Sequence, residues 1–269
     1  MIKRISTLAL VSVLIAVACK TVPLTGRKGL KIYPSSEINA MSFAQYKEVI
    51  STSQMSRNAQ DVAMVKRVGN NIKNAVEKYL NENGHADLIQ GYSWEFNLIE
   101  GKDANAWCMP GGKVAFYTGI LPICKDETGV AVVMGHEIAH AIAEHGNERM
   151  SQGMIQQMGG MALSEALDKE PEQTKVLAAT AFGLGAQYGV MLPFSRKHES
   201  EADKMGLMFM AMAGYNPQEA AEFWKRMKSM SGGAQPPEFY STHAAHDTRI
   251  KDIQGWMSEA MVHYNASKK

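Results

Sequence analysis

"VVMGHEIAHAIAEH", residues 132–145, sets two histidines four apart, with a glutamate after the first, in a run that is otherwise almost wholly apolar. On an α-helix, residues four apart differ by about 40° around the axis and one turn along it. His136 and His140 can therefore aim ring nitrogens at one ion. Glu137 follows the first histidine and can lean over a water on that ion. Neutral imidazoles, an open coordination position and a carboxylate that takes a proton are the parts of a hydrolytic zinc centre.

A third ligand decides between versions of such a site. In one it lies ten positions after the first histidine, but Gly146 stands there and Ala143 replaces the glycine of that motif, so this version is excluded. His145 is one residue short. On a continuing helix it sits about 140° around from His140 and faces away, as a surface or structural histidine. The other version takes a glutamate from a later helix. "SRKHESEADKMG", 195–206, offers Glu199 and Asp203 four apart on one face. Glu199 can reach the ion while Asp203 orients a ligand histidine through its second nitrogen. Glu201, rotated about 200° from Glu199, is expected in solvent.

Outward from the site, the 269 residues allow one large domain or two small ones, with no fixed repeat. A formal net charge of +1 with no lysine/arginine block excludes a nucleic-acid footprint and a polybasic membrane patch. Lys3 and Arg4 precede an uncharged stretch, Ile5 to Ala18, too short to span as a mature helix, so residues 1–18 read as a secretory signal. "AVAC" ahead of residue 20 resembles a bacterial lipobox, although Ala16 stands where leucine is usual. Lipidation of Cys19 would anchor the chain without a spanning helix, on the periplasmic side of a bacterial membrane, the outer in preference to the inner. Ordinary signal-peptidase cleavage is the alternative. Residues 19–36 then form a lipidated tether ending in a short strand, and 37–269 a single domain. Whether Cys108 and Cys124 pair stays open.

Glu37 to Leu80 has helical periodicity, with Met64, Val68, Ile72, Val76 and Leu80 on one face. "YSWEFNLIE" alternates as a half-buried strand does, and "KVAFYTGIL" follows the turn-forming Pro110-Gly111-Gly112. Helices are expected at about 127–144, 147–167, 173–190, 195–213, 217–230 and 247–263, giving an α+β fold: mostly helix, one small sheet beside the active-site helix. Val176 to Phe194 is uncharged, yet diluted by glycines and polar residues; it reads as a buried or site-covering helix in preference to a membrane segment. The methionines of "MSQGMIQQMGGMAL" read as adaptable core or groove lining.

"NAWCMPGGKVAFYTGIL", "GHEIAHAIAEHGNERMS", "SRKHESEAD" and "STHAAHDTRI" together resemble the HtpX/CAAX-prenyl-protease family of gluzincin metallopeptidases, in its exported, lipoprotein-like bacterial branch. The likeness runs from about Thr25 to Arg249. It implies a zincin-like fold with an antiparallel-edged sheet, one zinc per chain on His136, His140 and Glu199, Glu137 as general base, and Asp203 behind a ligand. Asn105 and the strand after it match the edge along which substrate peptide lies. His243 and Arg249 match a late element near the zinc, with Ala244 where proline is common. His243 is then a candidate oxyanion donor, or, with His246 as the alternative, an imidazole that occupies the open position of a latent enzyme. The implied activity is a zinc endopeptidase acting on unfolded or misassembled cell-envelope proteins. A zinc-binding, chaperone-like lipoprotein with little hydrolysis is the alternative, separated by turnover that depends on Glu137.

Overall fold

The structure, a computed structural model, describes residues 19–230, 239, 243 and 248–268. The expected signal at 1–18, Ala244 and His246 lie outside the described residues. Strands β1 (Cys19–Thr21) and β2 (Lys28–Leu30) form an antiparallel hairpin, followed by helices α1 (Ser35–Thr52) and α2 (Ala59–Glu82). Strands β3 (Glu95–Ile99), β4 (Ala106–Met109) and β5 (Lys113–Tyr117) come next. Then follow α3 (Glu127–Ile142), α4 (His145–Ala166), α5 (Glu172–Ala186), a π-helical turn (Gln187–Met191), α6 (Leu192–Met212), α7 (Gln218–Met230) and α8 (Arg249–Ser267). Mostly helix with two small sheets is the expected α+β class.

The helical pattern expected to run from 37 to 80 breaks into α1 and α2. Asn58 caps α2, its side chain accepting from the Gln60 and Asp61 N–H groups. The residues before it have another use. The Ser56 N–H donates to the Leu98 carbonyl at 2.9 Å and the Glu100 N–H to the Gln54 carbonyl at 2.7 Å, so this segment covers the outer edge of β3. On α2 the buried stripe is Val65, Val68, Ile72, Val76 and Leu80; Met64, expected in it, packs at the margin. The main sheet has the order β3-β5-β4, with β5 parallel to β3 and antiparallel to β4. β4 is its edge strand.

Helix α3 runs through the middle, with every residue from Gly129 to Ile142 buried. Asp126 fixes its start by accepting from the Thr128 and Gly129 N–H groups at 2.8 and 3.1 Å. It meets α6 backbone to backbone. A Cβ on Gly135 would fall 2.7 Å from the Gly206 carbonyl oxygen, and one on Gly206 2.7 Å from the His136 nitrogen. Only glycine permits this approach, and it sets the residues one and two turns earlier on α6 against the histidines of α3.

Two expectations fail here. Residues 19–36 are not a free tether: Val22 is fully buried in the core, and β2 leads into a stretch pinned to α4, with the Ile32 N–H donating to Ser151 Oγ at 2.9 Å and Asn147 Nδ2 to the Tyr33 carbonyl at 2.8 Å. The apolar run from Val176 is not buried either. α5 packs on α4 as a hairpin and leaves Val176, Leu177 and Leu184 exposed, Leu177 by 72 %, and Tyr188 is exposed in the π-helical turn that follows. Met158 and Met161 of α4 are exposed beside them. The helical run Glu172–Met212 is long and apolar enough, by length and composition, to cross a membrane.

Candidate metal centre

The α3–α6 crossing brings His136 and His140 of one helix to Glu199 of the other, and His243 closes the group from the chain ahead of α8. Their donor atoms all lie within 4.8 Å of one another. His136 Nε2 is 3.1 Å from His140 Nε2 and 3.2 Å from His243 Nδ1. Glu199 is 3.4 Å from each α3 histidine and 3.0 Å from His243 Nδ1. Four donors at about 2.0–2.1 Å around a tetrahedral ion stand about 3.3–3.4 Å apart. The five spacings just given, 3.0–3.4 Å, are close to those edges, with Glu199 meeting His140 through Oε1 and the other two histidines through Oε2.

Proton bookkeeping supports the same fit. His136 Nδ1 is 3.0 Å from Asp203 Oδ1, and a carboxylate only accepts, so the ring donates there and turns a lone pair from Nε2 toward the other donors. Lone pairs converging with a carboxylate call for positive charge between them. The pKa of His136 reflects that demand: burial lowers it, but Asp203 and Glu199 outweigh burial and hold it at about 9. Burial pushes His140 well below its ordinary value. Glu199 is buried, which favours its neutral form, yet His140, His136 and His243 hold it far below the carboxylate range. The residues present suit a zinc ion.

Glu137 stands apart from the donors. Among the described residues its Oε1 has no hydrogen-bond partner, and it lies 3.4 Å from His243 Nε2. Burial raises its pKa. Arg249 is buried between two tasks. It donates to Asp203 Oδ1 at 2.6 Å and to the His243 carbonyl at 2.8 Å, with its guanidinium 3.4 Å from the ring centre of Trp224. Asn105 sits where the chain enters β4, its carbonyl accepting from the Tyr117 N–H. Beside it the Phe239 N–H donates to the Ala104 carbonyl at 2.9 Å, and the His243 N–H to the Phe239 carbonyl at 3.0 Å. Phe239, which accepts from His243, thus also rests on the chain leading into the edge strand. Cys108 and Cys124 are free.

Two residues contradict the helical projection. His145 is fully buried and meets the His140 ring edge-on, because α3 ends at Ile142 and Glu144 turns through a left-handed conformation (φ 54°) before α4 starts. Glu201, expected in solvent, is buried because the β1–β2 hairpin covers that face of α6 and Arg27 donates to it at 2.6 Å. No local pattern marks this pairing, which joins residues far apart in sequence; the "TGR" at 25–27 is its only trace.

The model described as peptidase family M48 matches residues 67–257. Mitochondrial metalloendopeptidase OMA1 of Schizosaccharomyces pombe is 35% identical over 199 residues, which is 71% of this chain and 53% of that protein. Human OMA1 is 25% identical over 248 residues, 89% of this chain and 46% of the relative. The beta-barrel assembly-enhancing protease of Escherichia coli K12 is 26% identical over 190 residues, 66% and 38% of the two chains. The chain spans about half the length or less of these curated relatives. The motif resemblance therefore holds at the level of the family, with OMA1-type and barrel-assembly relatives in place of the HtpX/CAAX branch. With more than two thirds of its length matched and its histidines and glutamate gathered at one point, the chain belongs to peptidase family M48.

Proposed function

We propose that the protein is a zinc-dependent endopeptidase, with one zinc per chain on His136, His140 and Glu199. The observation that carries this reading is the convergence of those donors beside Glu137, a buried carboxylate with an unpartnered oxygen. Zinc bound there supplies Lewis acidity, lowering the pKa of a water to about 7 and polarising a carbonyl. Glu137 takes a proton from water at Oε1 and returns one to the leaving amine nitrogen; burial, by raising its pKa, suits it to both transfers. Asp203 keeps His136 in the tautomer that presents Nε2. Arg249 holds Asp203 and the backbone of His243 in place. A peptide laid along β4 is bound through main-chain hydrogen bonds, which favours unfolded substrates over one sequence.

Four protein donors make a closed set, whereas a catalytic zinc keeps a position for water. His243 is the donor that comes from outside the two core helices, so we assign it as a resting occupant of that position, displaced when substrate enters along β4. The substrates proposed are unfolded or misassembled cell-envelope proteins, in keeping with the name of the barrel-assembly relatives. Attachment is proposed through lipid on Cys19, which is exposed at the start of β1, on the periplasmic side of an outer membrane. The outward apolar faces of α4 and α5 supply a second contact with the bilayer.

Metal analysis and cleavage of an unfolded protein test this reading. Wild type is expected to carry one zinc, and Glu137→Gln to keep it while losing about 100- to 10,000-fold in turnover. Near-normal cleavage by that variant removes Glu137 as the base. His243→Ala is expected to raise turnover several-fold; a fall would make His243 an oxyanion donor instead.

A further inference from the structure

A second cluster of ionisable side chains lies behind His140, on its Nδ1 side. His145 Nδ1 is 2.8 Å from His140 Nδ1, and His145 Nε2 is 2.9 Å from Glu201 Oε2. The same carboxylate oxygen accepts from Arg27 Nε at 2.8 Å and Nη2 at 2.6 Å, and its other oxygen accepts from the Thr25 hydroxyl. Arg27 also makes a two-pronged pair with Glu148, both bonds 2.8 Å. His145, Glu201 and Glu148 are 6 % exposed or less, so these bonds are shielded from water.

The direction of each proton follows from chemistry. A carboxylate only accepts, so His145 Nε2 carries a hydrogen and donates to Glu201. In a neutral imidazole the other nitrogen then has a lone pair, which makes His145 Nδ1 an acceptor. Its partner, His140 Nδ1, must be the donor. With its proton on Nδ1, His140 presents the Nε2 lone pair toward His136, Glu199 and His243, the orientation a metal ligand needs.

We infer that Arg27, Glu201 and His145 form a positioning relay that fixes the tautomer and ring orientation of His140 from the N-terminal hairpin. The relay differs from the Asp203–His136 pair in having an extra imidazole and in crossing three elements: the β1–β2 turn, α6 and the start of α4. It makes the hairpin, which begins at Cys19, part of the metal site's support. The break in the helix allows it. Glu144, whose left-handed turn places His145, is itself held by Lys31 at 2.8 Å and Ser35 at 2.6 Å, both just beyond the hairpin.

This inference rests on His140 being a zinc ligand, and the test separates the two claims. Zinc affinity is measured by competition with a chelator on the full chain, alongside far-UV circular dichroism and thermal unfolding of the metal-free protein. His145→Ala is expected to bind zinc about 10- to 100-fold more weakly. His145→Asn, whose side-chain oxygen can take the place of Nδ1 as acceptor, is expected to recover most of that loss. Arg27→Gln, on a side chain that reaches solvent, is expected to give a smaller weakening in the same direction with the fold intact. Wild-type affinity in both His145→Ala and Arg27→Gln overturns the relay while leaving the ligand set standing. Equal loss in the alanine and asparagine variants, tracking lowered metal-free stability, also overturns it and reduces His145 to packing. A wild-type protein that binds no zinc overturns the ligand set and the relay together.

Discussion

Helix α3 and the α4–α5 hairpin are neighbours in the chain and break the ordinary sorting of side chains in opposite ways. α3 takes His136, Glu137 and His140 into the core; α5 leaves Val176, Leu177 and Leu184 outside it. The buried imidazoles are sustained by Asp203, Glu199 and Glu201 of α6 and by His243, with Arg27 of the hairpin behind Glu201, so their desolvation is offset inside the molecule. Nothing among the described residues covers the outer face of α5. An ionisable group persists in a core when other elements answer it, and a large apolar face persists at a surface when something beyond the chain does.

The largest effect should come from unbalancing α3. His140→Ala removes one of the three proposed core ligands and is expected to abolish zinc binding and proteolysis, with the metal content of the purified variant as the check. Full zinc occupancy in that protein would falsify the ligand assignment. The comparison sharpens with paired apolar substitutions. Ile138 is fully buried on α3, and Ile138→Ala is expected to cost about 2–5 kcal/mol in denaturant unfolding. Leu177→Glu on α5 is expected to change stability by about 0.5 kcal/mol or less while reducing cosedimentation with phospholipid vesicles. A large stability loss from Leu177→Glu would show that α5 is held by the protein's own core and would remove the contrast.

The two regions also differ in how far the sequence declares them. His136, Glu137 and His140 lie within one helical turn, so local periodicity is enough to pair them. The demand for a third ligand and four-residue spacing point to Glu199 and Asp203, and the structure brings both side chains to the histidines of α3. Projection failed where the chain left regular geometry: one left-handed residue, Glu144, turned His145 from an outward histidine into a neighbour of His140. Glu201 departs from projection for a related reason, since a helical wheel gives a residue's direction but not what covers that direction. The break at 53–58 was hidden because edge pairing with β3 is a contact between distant segments. In α5, composition suggested an apolar run, and burial was the wrong inference from it, because nothing local tells a core from a bilayer or a partner.

The smallest predicted effect is a pH dependence that bears on the partnered region alone. Glu148 is pulled in two directions: burial raises its pKa, while His198 and Arg27 outweigh burial and hold it at about 2, below the ordinary 4.5. A carboxylate depressed in the folded state binds its proton more readily when unfolded. Its contribution to stability is therefore complete above about pH 4.5 and is lost as the pH falls from there through about 2. Glu148→Gln keeps the shape of the side chain but cannot ionise. In metal-free protein the variant is expected to be less stable than wild type at neutral pH, and the gap should close as acid protonates Glu148 in the wild type. Urea unfolding midpoints across that window measure it. A gap that stays constant down to pH 2 would mean the Arg27 pair contributes through packing, leaving α3 and its surroundings less dependent on internal charge than the contrast with α5 requires.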